Sequence, residues 1–330
     1  MSNEFIGRQV SFALAVESER GVAESVAERN VRKVTCNLIP QTERVIDDST
    51  FGRLEDSERI RSVRRWNEGD VEGIVHADVL GYYLYNIYGE VDSSNVAGSV
   101  YEHEFTMEQS IKHPSLTLFV KDGEVRQEKL AGGMITTLEI NASTDDYVRY
   151  TANFLAKEGE TDNSEIPALA TEYDFVGRDI TVKIAATEGG LGAAPALKLK
   201  DLSLTLNTNA EADFVFGDYS PDNIYNKQFS IEGSFTRNFT DETFKDLYEG
   251  DDFRYMQIVI EGEADIGGGN KPTITILLNK TQVQDWSRTS AGDDLSTEDV
   301  SFKAFFNVTD TQASKVTLKN LTETYENLGS

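Results

Sequence analysis

A twelve-residue pattern near the start of the chain returns about halfway along it. Residues 5–16 read FIGRQVSFALAV, and residues 175–186, 170 positions later, read FVGRDITVKIAA. Each begins with Phe, an aliphatic residue, Gly and Arg, and then alternates with a period of two. Such alternation is typical of a strand with one buried face. Because the same strand is written twice, the sequence indicates one domain that occurs twice.

Four further blocks repeat in the same order. The paired segments are 51–52 and 216–217, 71–73 and 231–233, 114–119 and 272–277, and 148–154 and 300–306. The separation falls steadily from 170 to 165, 160, 158 and 152, as shorter loops in the second copy would produce. Five colinear blocks predict two tandem domains, residues 1–165 and 166–330, with their boundary in the charged segment 156–174.

Each predicted domain contains one segment with helical periodicity. In the first, the apolar face is formed by Leu80, Leu84, Ile87 and Tyr88, and Gly89 is placed to end the helix. In the second, we expect an N-cap at Thr240, an end at Gly250 and an apolar face of Phe244, Leu247 and Tyr248. Strands are predicted near 34–38, 106–110, 116–120, 135–141 and 148–155, with later counterparts. The fold class is therefore all-β with one flanking helix per domain.

The charge balance is strongly acidic. The chain carries 57 Asp and Glu against 31 Lys and Arg, a formal net charge of −26. Divided at residue 165, each half carries −13, so neither half is basic. Gripping nucleic acid through its phosphates needs clustered Lys and Arg. The composition therefore argues against such binding, and it favours solubility.

Cysteine content and hydropathy bear on the compartment. Cys36 is the single cysteine, so the chain has no internal disulfide and no thiolate metal cluster. Residues 10–16 resemble the core of a signal peptide, but this run has only seven residues and its copy at 180–186 lies in mid-chain. We therefore expect a strand rather than a secretion signal. No stretch approaches the length of a membrane span.

Recognisable catalytic motifs are missing from the sequence. The three His are scattered outside any HExxH spacing, and no G-x-S-x-G motif occurs. The run GGGNK at 267–271 lacks the ending of a phosphate-binding loop and is better interpreted as a hairpin turn. We therefore predict no catalytic, cofactor or metal site and no enzymatic activity.

One segment is unusually long for a connection. Residues 40–70 mix acidic and basic side chains, and the corresponding segment of the second domain, 208–229, is shorter. A solvated mobile loop is one interpretation. We favour an ordered arm that forms contacts between subunits or between rings. The candidate contact residues are Arg53, Glu55, Asp56, Arg59, Arg61, Arg64, Arg65, Tyr219 and Tyr225.

Five motifs follow one another along the chain. They are EGDVEG at 68–73, LGYYLY at 80–85, HPSLTLFV at 113–120, GGM at 132–134 before an alternating strand, and VTLKNLTETY at 316–325. Together they resemble the major tail tube proteins of long-tailed bacteriophages. The resemblance covers nearly the whole chain and consists of strands and turns rather than a catalytic signature.

The resemblance implies tail-tube-type β-barrel or sandwich domains whose sheets join around a ring. Rings stack into a tube through which the genome passes during ejection. One-domain members form hexameric rings and two-domain members make the same ring from three subunits, so the duplication predicts a pseudo-hexameric trimer. An acidic lumen would repel DNA over a Debye length of about 8 Å, and neighbours would pair through sheet edges.

The implied partners are further copies of the chain, a tape-measure protein, and tail terminator and tip proteins. DNA passes without specific binding, the chain inserts in no membrane, and the location is the virion tail after assembly in the host cytoplasm. Two alternatives stay open. One is a duplicated β-sandwich that binds a glycan or host surface, for which the chain offers only two Trp, at unmatched positions. The other is another ring-forming phage or secretion-system tube protein.

Overall fold

The structure, a computed structural model, describes residues 4, 6–123, 125–162, 165–290 and 292–326. The strands of the first half are β1 (Val10–Val16), β2 (Arg29–Asn30), β3 (Thr35–Cys36), β4 (Ile39–Ile46), β5 (Ile60–Ile74), β6 (Gly89–Ala97), β7 (Val100–Met107), β8 (Leu116–Asp122), β9 (Arg126–Ser143), β10 (Arg149–Ala156) and β11 (Glu160–Thr161). Those of the second half are β12 (Ile180–Ala185), β13 (Leu199–Asn207), β14 (Glu211–Asp213), β15 (Asn223–Tyr225), β16 (Ser230–Asn238), β17 (Arg254–Glu261), β18 (Thr273–Thr289), β19 (Thr297–Ala304) and β20 (Ser314–Asn320). Helix α1 (Ala77–Tyr88) follows β5, and α2 (Thr243–Gly250) follows β16. The β-rich fold class is confirmed.

Strands from both halves join in one antiparallel sheet, here called the main sheet. Its order is β3 and β4 along one edge, then β5, β10, β9, β13, β16, β19 and β18. The two halves meet where β9 pairs with β13, with Leu138 opposite Leu206. The first and second halves therefore share a continuous backbone ladder.

Matching strands of the main sheet pair in the same register in both halves. Gly73 of β5 lies opposite Tyr150, and Gly233 of β16 lies opposite Phe302. A Cβ at Gly73 would lie 2.7 Å from the Tyr150 ring, and one at Gly233 would lie 2.4 Å from the Phe302 ring. In both halves, a glycine thus leaves the space that the opposing aromatic ring fills.

The other strands pair away from the main sheet. β8 pairs with β1 and with residues 126–133 of β9, while residues 273–278 of β18 pair with β17 and β20. β20 continues to β7 of the first half, which pairs with β6. Buried side chains of both sets of strands form one core, in which the rings of Phe12 and Phe154 lie 6.0 Å apart.

These pairings correct one of the predicted repeat blocks. β17 pairs with β12 as β8 pairs with β1, so by its pairing β17 is the counterpart of β8. The expected match between 114–119 and 272–277 is therefore wrong. The first repeat also begins at Phe5, which lies outside the described residues.

Helix α1 follows its predicted pattern more closely than α2. α1 ends at Gly89, whose φ of 86° is left-handed and whose N–H donates to Tyr85 O. In α2, Thr240 is not the cap, because the Thr243 N–H donates to Asp241 Oδ1 at 3.0 Å. Phe244 and Leu247 are buried as expected, but 43% of Tyr248 is exposed. The predicted strand at 106–110 is also wrong in its bounds, since β7 ends at Met107.

The segment 156–174 runs along the first half. Its β11 pairs with β9, and Pro167 O accepts a hydrogen bond from Asn30 Nδ2 at 2.9 Å. Further on, Glu172 lies 3.2 Å from Arg29 Nε, and that guanidinium also lies 3.2 Å from Asp78. Burial raises the pKa of the Glu172 carboxyl to about 7. Residues 163 and 164 of this segment lie outside the described part of the chain.

Candidate assembly surfaces

The main sheet has one buried face and one polar face. Core-facing residues such as Leu138, Leu204 and Phe302 alternate with polar residues along each strand. The acidic residues of the polar face are Glu68, Asp70, Glu72, Glu139, Asp201, Glu232, Asp285 and Asp299. Its basic residues are Arg149, Lys303 and Lys200, the last at the bulge of β13 beside Asp201. Eight carboxylates against three cations leave five net negative charges on this face.

The charges of the polar face follow rows across the strands. One row runs directly from strand to strand through Glu72, Thr151, Glu139, Thr205, Glu232, Lys303 and Gln282. A neutral residue separates successive carboxylates, which places them about 10 Å apart at the usual strand spacing. This spacing lowers the repulsion between them and keeps the row negative.

Two of the three cations of the polar face, Lys303 and Arg149, are paired with carboxylates. Lys303 Nζ lies 2.6 Å from Glu232 Oε1, and Arg149 Nε donates to Asp146 at 2.8 Å. The hydrogen bond from Arg149 holds the pKa of Asp146 below its usual range. Neither Lys303 nor Arg149 therefore presents an unopposed positive charge on this face.

At each edge of the main sheet, part of the outermost strand has a neighbouring strand on one side and none on the other. Among the described residues, β3 pairs only with β5. From Gln282 onward, β18 pairs with β19 alone in the part of the chain that the structure describes. Val34, next to β3, is 58% exposed although it is apolar. Unpaired edges of this kind are ready to accept another strand.

The segment 40–70 is a β-hairpin rather than a loop. β4 and β5 pair from Ile39 and Glu68 out to Ile46 and Ile60. Of the candidate contact residues, Arg53, Glu55 and Asp56 lie in the exposed tip, and Arg61 is exposed on β5. Arg59 is paired with Asp47 at 3.1 Å across the base of the tip. This hairpin is called the long arm below.

Arg64, Arg65 and Tyr219 are brought together within the chain. The Arg65 N–H donates to Tyr219 O at 2.8 Å, and the Arg65 guanidinium lies 5.2 Å from the Tyr219 ring centroid. Arg64 lies 4.8 Å from the ring of Phe214. These cation–π contacts hold residues 208–229, here called the short arm, against the first half. Tyr225 lies elsewhere on the short arm, with Lys112 5.9 Å from its ring.

Arg20 was not among the predicted contact residues. Its guanidinium donates to Asn223 Oδ1 at 3.1 Å and to the carbonyl oxygens of His113 and Ile224. The loop that carries Arg20 is fixed by the buried Glu17, which accepts from the Gly21 N–H at 2.6 Å. Burial raises the pKa of Glu17. A single Arg with no partner motif gives no sequence signal, because all its acceptors come from distant segments.

Neither a metal-ligand cluster nor a helix able to span a membrane is found among the described residues. In the described part of the chain, no group of three His, Cys, Asp or Glu side chains is placed to hold a metal ion. Neither α1 nor α2 is long and apolar enough to cross a membrane, and the described residues contain no other helix that is.

Comparison with known proteins identifies the family. No curated protein matches the sequence. A family model described as phage tail tube protein matches residues 7–304, nearly the whole chain. The match spans the main sheet, both helices and both arms. The resemblance inferred from the motifs is confirmed, and the chain belongs to the phage tail tube protein family.

Proposed function

We propose that three copies of this chain close a ring with pseudo-sixfold symmetry, and that stacked rings form a conduit for genome DNA. As a tail tube protein, the chain is a structural component of the virion tail that assembles into a polymeric tube. The proposed ring of three chains rests on the main sheet. In this sheet, two sets of strands with matching registers are joined side by side.

The matching registers support two tandem copies of one domain, 1–165 and 166–330. Val71 lies opposite Ala152, and Ile231 lies opposite Ala304, with each pair two residues from its glycine–aromatic pair. A chance similarity of alternating strands would not also match glycines to rings. Two domains per chain then give six domains in a ring of three chains.

The polar face supplies the wall of the proposed lumen. Each chain contributes eight strand positions to the main sheet, counting β3 and β4 as one, so three chains would close a barrel of twenty-four strands. At ordinary strand spacing and tilt, such a barrel is roughly 40–50 Å across. That width exceeds a DNA duplex, and the core-facing side of the sheet is already covered.

The charge of the polar face suits a passage for DNA. Five net negative charges per chain would line the lumen, and they repel phosphates over about 8 Å at physiological salt. A lumen rich in Lys and Arg would instead bind the duplex without regard to sequence and retard it. The carboxylates therefore favour DNA passing without specific binding.

The long arm is proposed to contact neighbouring copies. The short arm already lies on the first half through Arg64, Arg65 and Tyr219. By the same arrangement, the long arm would lie on the second half of an adjacent subunit, where its exposed residues Arg53, Glu55, Asp56, Arg59 and Arg61 would meet a partner. Residues 1–4 are also proposed to tie ring to ring, and residues 1–3 lie outside the described part of the chain.

The remaining partners follow from the tube. A tape-measure protein would occupy the lumen during assembly in the host cytoplasm, and terminator and tip proteins would cap the ends.

The glycan-binding alternative is disfavoured because both Trp are engaged in the fold. Trp66 packs edge-on against Phe214, and Trp286 Nε1 donates to Glu298 at 2.7 Å.

The proposed ring is tested by mass and by microscopy of purified protein. With a chain of 36.7 kDa, a trimeric ring has a mass of about 110 kDa, measurable by mass photometry. Negative-stain images should show rings or hollow tubes with six lobes. A ring of six chains, or a protein that stays monomeric at high concentration, would overturn the proposal.

A further inference from the structure

We infer the register in which one copy joins the next: Gln282 of one chain lies opposite Thr35 of its neighbour, and Val283 lies opposite Val34. The inference rests on the proposed ring and adds the residue pairs of its cross-chain junction. It follows from a junction of the same kind that each chain already contains between β9 and β13.

The internal junction is the template. Between β9 and β13, Glu139 lies opposite Thr205 and Ile140 lies opposite Leu204. The strands are antiparallel, and Ile140 and Leu204 are only 5% and 2% exposed. The template thus consists of one polar pair on the polar face and one apolar pair in the core.

The β13 side of the template has its counterpart at β3. Thr205 lies opposite Glu232 of β16, and Thr35 lies opposite Glu72 of β5. Glu232 and Glu72 occupy the same place next to Gly233 and Gly73. Thr35 therefore corresponds to Thr205, and Val34, the preceding residue, corresponds to Leu204.

The β9 side has its counterpart at β18. Ile140 lies opposite Tyr150, and Val283 lies opposite Phe302, the matching aromatic residue. One residue earlier, Glu139 and Gln282 hold the equivalent places on the polar face. Carrying the template across to the two free edges therefore puts Gln282 against Thr35 and Val283 against Val34.

The exposure of the free edges agrees with this register. Val34 is 58% exposed, whereas its counterpart Leu204 is buried. Pairing with Val283 would bury Val34 in the same way. Thr281 already lies opposite Arg254 of β17, so the cross-chain ladder begins at Gln282, where the edge of β18 becomes free.

Disulfide trapping tests the register directly. In a Cys36→Ser background, Thr35→Cys is combined with Gln282→Cys, which places both thiols on the polar face within reach of a soluble oxidant. Opposed residues of antiparallel strands have Cα atoms about 4.5–5.5 Å apart, which is within the range of disulfides. Oxidation of assembled rings should convert most chains to covalent dimers and trimers on a non-reducing gel.

A register-shifted pair is the matched control. Asn37→Cys with Gln282→Cys keeps the same face but displaces one thiol by two residues, or roughly 7 Å along the strand. The Cα separation then exceeds about 7 Å, which a disulfide does not span without backbone movement. This variant should form at least tenfold less covalent oligomer.

Microscopy before oxidation separates the two proposals. If rings form and the in-register pair crosslinks preferentially, the register is supported. If rings form and the shifted pair crosslinks as well or better, or neither does, the register is overturned and the ring stands. If unsubstituted protein and the Cys36→Ser variant form no rings, the proposed ring itself fails, and the register fails with it.

Discussion

The missing side chain at Gly233 lets the ring of Phe302 lie against the backbone of the neighbouring strand. A Cβ there would come 2.4 Å from the Phe302 ring and 2.6 Å from the backbone oxygen of Ser203. The ring could turn aside, but the carbonyl belongs to the β13 ladder and cannot. Glycine at this position is therefore a packing requirement, although its φ is ordinary.

Gly233→Ala is expected to destabilise the protein by about 1–3 kcal/mol, because overpacking displaces both the ring and the ladder. At roughly 2–4 °C per kcal/mol, the melting temperature should fall by several degrees. Gly189→Ala is the matched control, since a Cβ at Gly189 meets no atom within 4 Å. Equal melting temperatures for the two variants would contradict this account.

Glu172 is a buried carboxyl whose charge state should affect stability. Burial raises its pKa to about 7 despite the facing Arg29, and Asp78 and His76 lie close to the same group. Between about pH 4.5 and 7 the folded chain holds a proton that the unfolded chain releases. Stability from this group is therefore present at low pH and is lost as the pH rises through 7.

Glu172→Gln should flatten the pH dependence of the melting temperature. At pH 5 the variant and the parent should be close, and at pH 8 the variant should be more stable by about 1–3 kcal/mol. Glu165→Gln, an exposed change in the same segment, should leave the parent's slope unchanged. If the melting temperature of Glu172→Gln changes with pH as steeply as that of the parent, the Glu172 carboxyl does not titrate between about pH 4.5 and 7.

At the scale of elements, the guanidinium of Arg20 joins Arg64 and Arg65 in holding the short arm against the first half. Arg20 reaches Asn223 and Ile224 of the short arm from a loop of the first half. Removing it leaves the carbonyl groups of Ile224 and His113 without this donor, which costs about 1–3 kcal/mol locally.

Arg20→Met is therefore expected to raise hydrogen exchange across residues 211–225 by about tenfold or more, with little change elsewhere in the second half. Hydrogen–deuterium exchange with peptide resolution measures this. Arg53→Met removes an exposed Arg of the long arm and should leave exchange at 211–225 unchanged. If residues 211–225 exchange as slowly in Arg20→Met as in the parent protein, then Arg64, Arg65 and Tyr219 hold the short arm by themselves.

Alternation in the sequence predicted strands well but predicted their partners less well. The period of two reports which face of a strand is buried, and it identified β1, β8 and β10. It carries no information on which strand lies alongside, so 114–119 was matched to 272–277 by residue pattern alone. The long arm has no apolar face, since most of β4 is exposed, and its ladder consists of backbone hydrogen bonds that leave no trace in the side-chain pattern.

For the whole molecule, the acidic polar face predicts how a tube treats DNA. Assembled wild-type tubes should bind little duplex at physiological salt. Glu139→Lys combined with Glu232→Lys places new cations in the central row of that face, and these should bind phosphates with a Kd on the order of 10⁻⁵ M that weakens as salt rises.

Sedimentation of tubes with labelled duplex at several salt concentrations measures this binding. The control is Asp246→Lys with Glu249→Lys, which makes the same change in charge on the exposed side of α2. If the control tubes bind DNA as strongly as the polar-face variant, DNA binding depends on the net charge of the chain and not on the charge of the polar face.

The junction between β9 and β13 also changes the thermodynamics of building a ring. In the proposed trimer, three of six domain junctions form when each chain folds, so they do not depend on protein concentration. Only three bodies lose translational and rotational freedom instead of six, a saving of several kcal/mol for each body that need not be recruited. A linked pair of domains also meets at an effective concentration in the millimolar range. Each cross-chain junction can therefore be weak alone and still close at low subunit concentration, which lets a tube grow by reversible, self-correcting addition.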